Sequence, residues 1–68
     1  MNTVDARGLS CPQPVIMTQK AMKSGANEYI IIVDNVVSRE NVTRFAEHQG
    51  YSVKVTNDGD DYKLELTK

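Results

Sequence analysis

Apolar positions recur along the chain with two different periods, and the changes between them divide it into six short elements. Val4 and Ala6 alternate with polar neighbours, which predicts a short first strand followed by a connection over residues 7–10. From Pro12 the apolar positions follow helical spacing, and Gly25 is typical of a helix end. The core face of this first helix is expected to consist of Val15, Thr18, Ala21 and Met22.

The middle of the chain predicts a central strand and a second helix. Residues 29–33 form a continuous apolar run rich in β-branched side chains, which suits a buried strand. The helix is expected to start with Ser38 as its N-cap and to stop at Gly50, with Val37 and Val42 spaced as a hydrophobic staple. Its predicted core face consists of Val42, Phe45 and Ala46.

The last third of the chain carries the pattern of a β-hairpin. Two runs of alternating apolar and polar residues flank a turn signal at residues 57–60. With Asp58 and Gly59 as the two turn residues, Val55 lies opposite Tyr62. This register puts all the apolar side chains of both strands on one face, the further pairs being Val53 with Leu64 and Tyr51 with Leu66.

The predicted order is β-α-β-α-β-β, which indicates an α+β fold. Two helices can cover one face of a four-stranded mixed sheet, giving a two-layer α/β sandwich, and a right-handed crossover makes the first two strands parallel neighbours. The other face should be mostly polar except along the middle strand. There the outward residues are either Ile30 and Ile32 or Tyr29, Ile31 and Val33, and this strip is either a docking surface or an ordinary apolar patch.

Composition and charge exclude several classes of function. A chain of 68 residues with 40% hydrophobic residues and no Trp makes one small domain without a deep active-site cavity. Its net charge of −1 comes from scattered charges, so direct binding of nucleic acid is not expected. One cysteine and one histidine cannot form a metal site, and no cofactor is expected. No apolar run reaches the roughly 20 residues of a membrane span, and we expect no membrane association and a cytoplasmic location.

Cys11 is the single cysteine of the chain and precedes the first predicted helix. Because it has no internal disulfide partner, its chemistry must involve another molecule. Pro12 at the first helical position and Pro14 within the first turn are both compatible with a helix start. The sulfur would then face free N–H groups and the positive end of the helix dipole, which favours a reactive thiolate. The alternative is a small buried hydrophobic residue, although Cys11 precedes the apolar stripe.

The residues around Cys11 give further candidates. Arg7 is a candidate for electrostatic support or partner contact, with a solvated surface charge as the alternative. Gly8 permits a sharp approach of the connection, and Asp5 either orders that connection by hydrogen bonding or marks a strand edge. His48 is interpreted as a surface residue, and the acidic cluster at residues 58–61 as solvated turn chemistry rather than a calcium site.

A resemblance to a known family is carried by residues 5–15, which read DARGLSCPQPV, together with Thr18, Lys20 and Ala21. They resemble the signature of the TusA/SirA/YedF family of small sulfur-carrier proteins, with its Cys-Pro-x-Pro motif. The β-α-β-α-β-β order of that family extends the resemblance to the whole chain. Three segments are more similar to YedF-type N-terminal domains, which are associated with selenium metabolism, than to TusA itself: residues 33–35, 40–42 and 50–51.

The resemblance implies that Cys11 accepts a sulfane sulfur as a persulfide from a donor such as a cysteine desulfurase. It then passes the sulfur to an acceptor protein such as a DsrE-like domain, with selenium handling as a variant. This is a sulfurtransferase-like carrier rather than a stand-alone enzyme. Residues 1–68 are expected to form a single TusA-like domain, free-standing or N-terminal in a longer YedF-type protein. The alternative function is a non-catalytic interaction or regulatory module that uses the open sheet face.

Overall fold

The computed structural model describes residues 2–9 and 12–68, with the backbone alone for Asn2. The order of its elements is the predicted one, so the α+β fold class is confirmed. None of the helices within these residues is long and apolar enough to cross a membrane. The elements are β1 (Asn2–Asp5), α1 (Gln13–Met22), β2 (Glu28–Val33), α2 (Val36–His48), β3 (Ser52–Asp58) and β4 (Asp61–Thr67).

The four strands form one mixed sheet in the order β1-β2-β4-β3. β1 runs parallel to β2, as predicted, while β4 is antiparallel to both β2 and β3. β3 is therefore parallel to β2, and α2 crosses over β4 to connect them. α1 packs on β1, α2 packs on β3 and β4, and the helices contact each other. Both helices consequently begin at the end of the sheet that contains the C-terminal ends of β1 and β2.

The buried face of β2 resolves the alternative that the sequence leaves open. Tyr29, Ile31 and Val33 point into the core, while Ile30 and Ile32 lie on the opposite face and are partly covered. The rings of Tyr29 and Tyr51 meet edge to face, with centroids 5.8 Å apart. The remaining buried hydrophobic residues come from the other elements and their connections: Ala6, Val42, Ala46, Leu64 and Leu66.

The first helix starts one residue later than predicted. Pro12 is the N-cap rather than the first helical residue, and Pro14 occupies the second helical position. Pro14 is fully buried, and its carbonyl oxygen accepts a hydrogen bond of 2.9 Å from Thr18 Oγ1. The ring of Pro14 is therefore part of the core in addition to being compatible with a helix start.

The second helix starts earlier than predicted, so the assignment of Ser38 as its N-cap is wrong. α2 begins at Val36 and is capped by Asn35, whose Oδ1 accepts a 2.7 Å hydrogen bond from the Ser38 N–H. Asparagine caps helices as well as serine does, and this start buries Ser38 in the first turn. The predicted staple is also wrong, because Val37 is 60% exposed. Phe45, predicted to be in the core, is only partly buried.

The hairpin forms where predicted, but its predicted register is wrong by two residues. The turn residues are Gly59 and Asp60, and Val55 pairs with Leu64. Gly59 has φ of +64° while Asp60 has no positive φ, the combination found in type II′ turns. The predicted turn would have required positive φ at Asp58. A shift of two residues keeps every side chain on its predicted face, which is why the fold class is unaffected.

Candidate functional site

Cys11, the predicted carrier residue, lies with Ser10 outside the described residues. Its flanks are described on both sides. Leu9 is partly buried and packs against the core, and Pro12 is exposed at the start of α1. The candidate site is therefore the connection between β1 and α1, at the sheet edge where both helices begin. We call residues 5–12 the carrier loop.

The first turn of α1 has no side-chain cap. No side chain bonds to its N-terminal N–H groups within the described residues, and no acidic residue lies in the first turn. The first helical hydrogen bond runs from the Ile16 N–H to the Pro12 carbonyl at 3.0 Å. Because Pro12 and Pro14 lack N–H groups, Gln13 and Val15 supply the backbone donors of residues 12–15. None of the described side chains therefore competes with an anion for the positive end of this helix.

Arg7 holds the start of the carrier loop against two strands. The Asp5 carboxylate accepts hydrogen bonds from Arg7 Nε at 2.9 Å, from Nη2 at 2.8 Å and from the backbone N–H at 3.1 Å. Arg7 Nη1 reaches Asp61 Oδ2 at 3.2 Å, at the start of β4. These hydrogen bonds from Arg7 lower the pKa of Asp5 to about 2 and raise the pKa of Arg7. Two carboxylates therefore contact the Arg7 guanidinium.

Gly8 is held from the other side by Asp34. The Gly8 N–H donates to Asp34 Oδ2 at 2.8 Å, and Asn35 Nδ2 donates to Asp34 Oδ1 at 3.1 Å. The hydrogen bond from Gly8 is the main reason that the pKa of Asp34 is lowered. Gly8 has φ of +77°, and among the described residues beyond its chain neighbours no atom lies within 4 Å of where a side-chain Cβ would be. Glycine is therefore favoured here by the backbone conformation rather than by space.

Two of these anchoring residues, Asp34 and Asp61, were not predicted. Asp34 could have been found from the predicted parallel pairing, because residues that follow β1 and β2 must meet at one edge of the sheet. Asp61 was assigned to a solvated acidic turn, and this interpretation is corrected by its ion pair with Arg7. The pairing of Val33 with Tyr62 brings the start of β4 to the end of β2. Finding Asp61 therefore required the correct register of β4.

Two exposed valines lie at the start of α2, near the carrier loop, whereas His48 lies at the other end of that helix. Val36 and Val37, at the start of α2, are 45% and 60% exposed and follow Asp34 by two and three residues. They form an apolar surface beside the loop, although Val37 was predicted to form a hydrophobic staple with Val42. His48 is exposed in the last turn of α2, at the opposite end of that helix, and is not brought to the carrier loop.

Comparisons with known proteins agree with the predicted resemblance. The chain matches the family model described as Sulfurtransferase TusA over residues 2–68. A candidate sulfur carrier protein of Methanocaldococcus jannaschii is 38% identical over 55 residues, covering 78% of this chain and 73% of that protein. The crystal structure of a SirA-like protein from Desulfitobacterium hafniense has a TM-score of 0.89 and 32% identity, covering 98% of this chain and 96% of that one.

Proposed function

The chain belongs to the TusA family, and we propose that it is a sulfur carrier in which Cys11 holds the transferred atom. The family description and the relative described as a candidate sulfur carrier support this role. The identity of the carrying residue is our inference from the Cys-Pro-x-Pro motif, which places the one thiol of the chain directly before α1. The observation that carries the proposal is the anchoring of the carrier loop beside the uncapped start of that helix.

The proposed chemistry is a pair of thiol exchanges. The Cys11 thiolate attacks the outer sulfur of a donor persulfide, a new sulfur–sulfur bond forms at Cys11, and the donor leaves as a thiolate. An acceptor thiolate then attacks the outer sulfur of the Cys11 persulfide, and Cys11 leaves as a thiolate in turn. Each step exchanges one sulfur–sulfur bond for another, so no external oxidant or reductant is consumed. The reaction requires positioning of one sulfur more than it requires acids or bases.

The described residues around Cys11 are suited to that positioning. Asp5 and Arg7 fix the entry of the carrier loop, and Gly8 gives the loop its turn and bonds to Asp34. Pro12 and Pro14 set the start of α1. We propose that the N–H groups at this start stabilise the negative charge on sulfur during transfer. In this proposal Arg7 orders the loop and is not a catalytic residue.

The partners of the proposed carrier are proteins that bring their own thiols. A cysteine desulfurase is the proposed donor and a DsrE-like domain the proposed acceptor, in the cytoplasm, with selenium transfer as a variant on the same thiol. Val36 and Val37 are the proposed contact surface for these partners, because exposed apolar side chains beside the loop can be covered when a partner binds.

The test is transfer of labelled sulfur. Incubation with a cysteine desulfurase and labelled cysteine should add one sulfur atom to the intact protein, and a thiol reductant should remove it. Cys11→Ser should stay unmodified, while Gln13→Ala, which changes the exposed variable position of the motif, should load normally. Failure of the wild-type protein to load from several desulfurases would contradict the proposal.

The alternative function, a non-catalytic interaction module, is favoured by the outward strip of Ile30 and Ile32 on the open face of the sheet. It predicts that Ile30→Lys abolishes partner binding while Cys11→Ser leaves the function intact. A Cys11→Ser variant that binds its partner but has lost its function would exclude this alternative.

A further inference from the structure

A groove lies on the outer side of α2, between α2 and β3, with a volume of about 360 Å³. Val55 is 41% exposed on its floor. The groove is lined by Arg39, Glu40, Thr43, Arg44, Glu47 and Val55.

The floor of the groove is the edge of the sheet. β3 is the last strand in the order β1-β2-β4-β3 and pairs with β4 on one side. Its seven residues run without a proline, and its pairing with β4 shows no bulge. The other side of β3 therefore presents backbone N–H and C=O groups that a further strand can bond. β1, at the opposite edge, has only four residues.

The charges along the groove identify what can occupy it. Arg39, Glu40, Arg44 and Glu47 give the outer side of α2 two positive and two negative charges. Arg44 and Glu47 form no ion pair within the described part of the chain, whereas Arg39 reaches Glu40 at 3.8 Å and its guanidinium lies 4.9 Å from the centroid of the Tyr62 ring. A two-fold axis beside Thr43 would place Arg39 opposite Glu47 of a second copy, and Arg44 near the Glu40 of that copy. The groove is thus complementary to itself.

The same two-fold axis is compatible with pairing of two β3 strands. Antiparallel pairing of two β3 strands about Val55 places the axis half a strand spacing beyond β3, about 2.4 Å away. α2 packs on both β3 and β4. A helix centred between two strands lies about half a strand spacing, roughly 2.4 Å, inside the outer strand. The two copies of α2 would then be about 10 Å apart, which is a normal distance between packed helices. Strand pairing and helix packing are therefore compatible with one symmetry axis.

We propose that the α2–β3 edge is a self-association surface whose occupant is a second copy of this chain. The two β3 strands pair antiparallel, the two Val55 side chains meet at the axis, and the sheets join into one of eight strands. Since β1 lies at the opposite edge of each sheet, the two carrier loops remain at the outer sides of the dimer. The proposal goes beyond sulfur transfer and does not depend on Cys11.

The test reverses the charges of Arg39 and Glu47, first singly and then together. Sedimentation equilibrium of the wild-type protein, from micromolar to millimolar concentration, should show a mass that rises to twice that of the monomer. Arg39→Glu and Glu47→Arg should each raise the dissociation constant about tenfold or more, because each brings like charges together across the axis. The double variant Arg39→Glu/Glu47→Arg, which restores opposite charges, should recover most of the lost affinity.

Controls keep the test independent of folding and of sulfur transfer. Lys20→Glu, an exposed charge reversal on α1, should leave the dissociation constant unchanged, as should Cys11→Ser. Circular dichroism should show that each variant is folded. Val55→Asp should also dissociate the dimer without involving α2. A wild-type protein that stays monomeric at millimolar concentration, single charge variants that dimerise like wild type, or a double variant no better than the single ones would each overturn the proposal.

Discussion

The two helices begin at the same edge of the sheet, but their first turns are built differently. α2 has a side-chain cap, because Asn35 Oδ1 accepts the Ser38 N–H at 2.7 Å. α1 begins at Gln13 after Pro12 as its N-cap, and two prolines reduce the number of its donors. One helix start satisfies a backbone donor with its own side chain, whereas no described side chain caps the other. A helix that is started by proline can leave its remaining donors for another group.

The largest effect should come from giving α1 a cap like that of α2. In Pro12→Asp, the new carboxylate can accept the Val15 N–H and adds negative charge next to Cys11. We expect sulfur loading to slow about tenfold or more, since about 1.4 kcal/mol of lost stabilisation corresponds to a factor of ten. The measurement is the rate of persulfide formation from a fixed donor. Pro12→Ala, which adds no acceptor, is the control, and equal rates in the two variants would contradict the comparison.

Removing the cap of α2 should lower the stability of the protein more than its rate of sulfur loading. Asn35→Ala leaves the Ser38 N–H without its acceptor, and we expect unfolding to become easier by about 1 kcal/mol. Loading of the folded protein with sulfur should change little, because Asn35 reaches the carrier loop indirectly, through its 3.1 Å hydrogen bond to Asp34. Urea unfolding gives the stability, and Asn35→Asp, which keeps an acceptor oxygen, should retain most of it. A large loss of loading rate with unchanged stability would show that the two helix starts are not separate in function.

The carrier loop and the cap of α2 should also respond differently to low pH. The carrier loop is held by carboxylates, and the pKa of Asp5 is lowered from 3.8 to about 2 by its hydrogen bonds with Arg7. A lowered pKa in the folded state means that the contribution to stability is present above pH 3.8 and is lost as the pH falls toward 2. The pKa of Asp34 is lowered in the same direction. The cap oxygen of Asn35 does not titrate.

We therefore expect the backbone N–H resonance of Arg7 to shift with pH between about 4 and 2, where Asp5 takes up a proton, and that of Gly8 to shift below pH 3.8 as Asp34 does so. The Ser38 N–H resonance should shift little over the same range, because its acceptor is an amide. Nuclear magnetic resonance titration of the labelled protein measures all three signals. Asp34→Asn should remove the shift at Gly8 alone, and a Gly8 signal that titrates equally in that variant would contradict the assignment of its partner.

The smallest effect should come from the longer of the two Arg7 pairs. Asp61→Asn removes the charge that Arg7 Nη1 contacts at 3.2 Å, while all contacts with Asp5 remain. Exposed ion pairs of this kind contribute little to stability. We expect loading rates within about twofold of wild type and an unchanged unfolding midpoint. A marked loss in this variant would show that the link from β1 to β4 matters more to the carrier loop than Asp5 does.

The order of elements was predictable because it depends on local periods of apolar residues, and these agree along the whole chain. The hairpin register was not predictable from the same signal, since a shift of two residues leaves the apolar face intact. The start of α2 was ambiguous because Asn35 and Ser38 are both good caps, and burial of Ser38 decides between them.

In the candidate site, too, the residues from one local segment were predicted and the residues distant in sequence were not. Arg7 and Gly8 were predicted from one short segment, as was Cys11, which lies outside the described residues, because a motif and a turn residue are visible locally. Asp34 and Asp61 are distant in sequence and reach the carrier loop only through the pairing of β1 with β2 and of β2 with β4. The side-chain partners of a loop depend on tertiary register, which hydrophobic patterning does not determine.

The position of β4 within the sheet has a consequence for folding during synthesis on the ribosome. β4 is the last of the six elements along the chain, yet it lies between β2 and β3 and supplies the buried residues Leu64 and Leu66. Until it emerges from the exit tunnel, β2 and β3 have no strand between them and half of the sheet cannot form. The domain should therefore fold in a single late step, and its nascent chain should stay sensitive to proteases until β4 has been released.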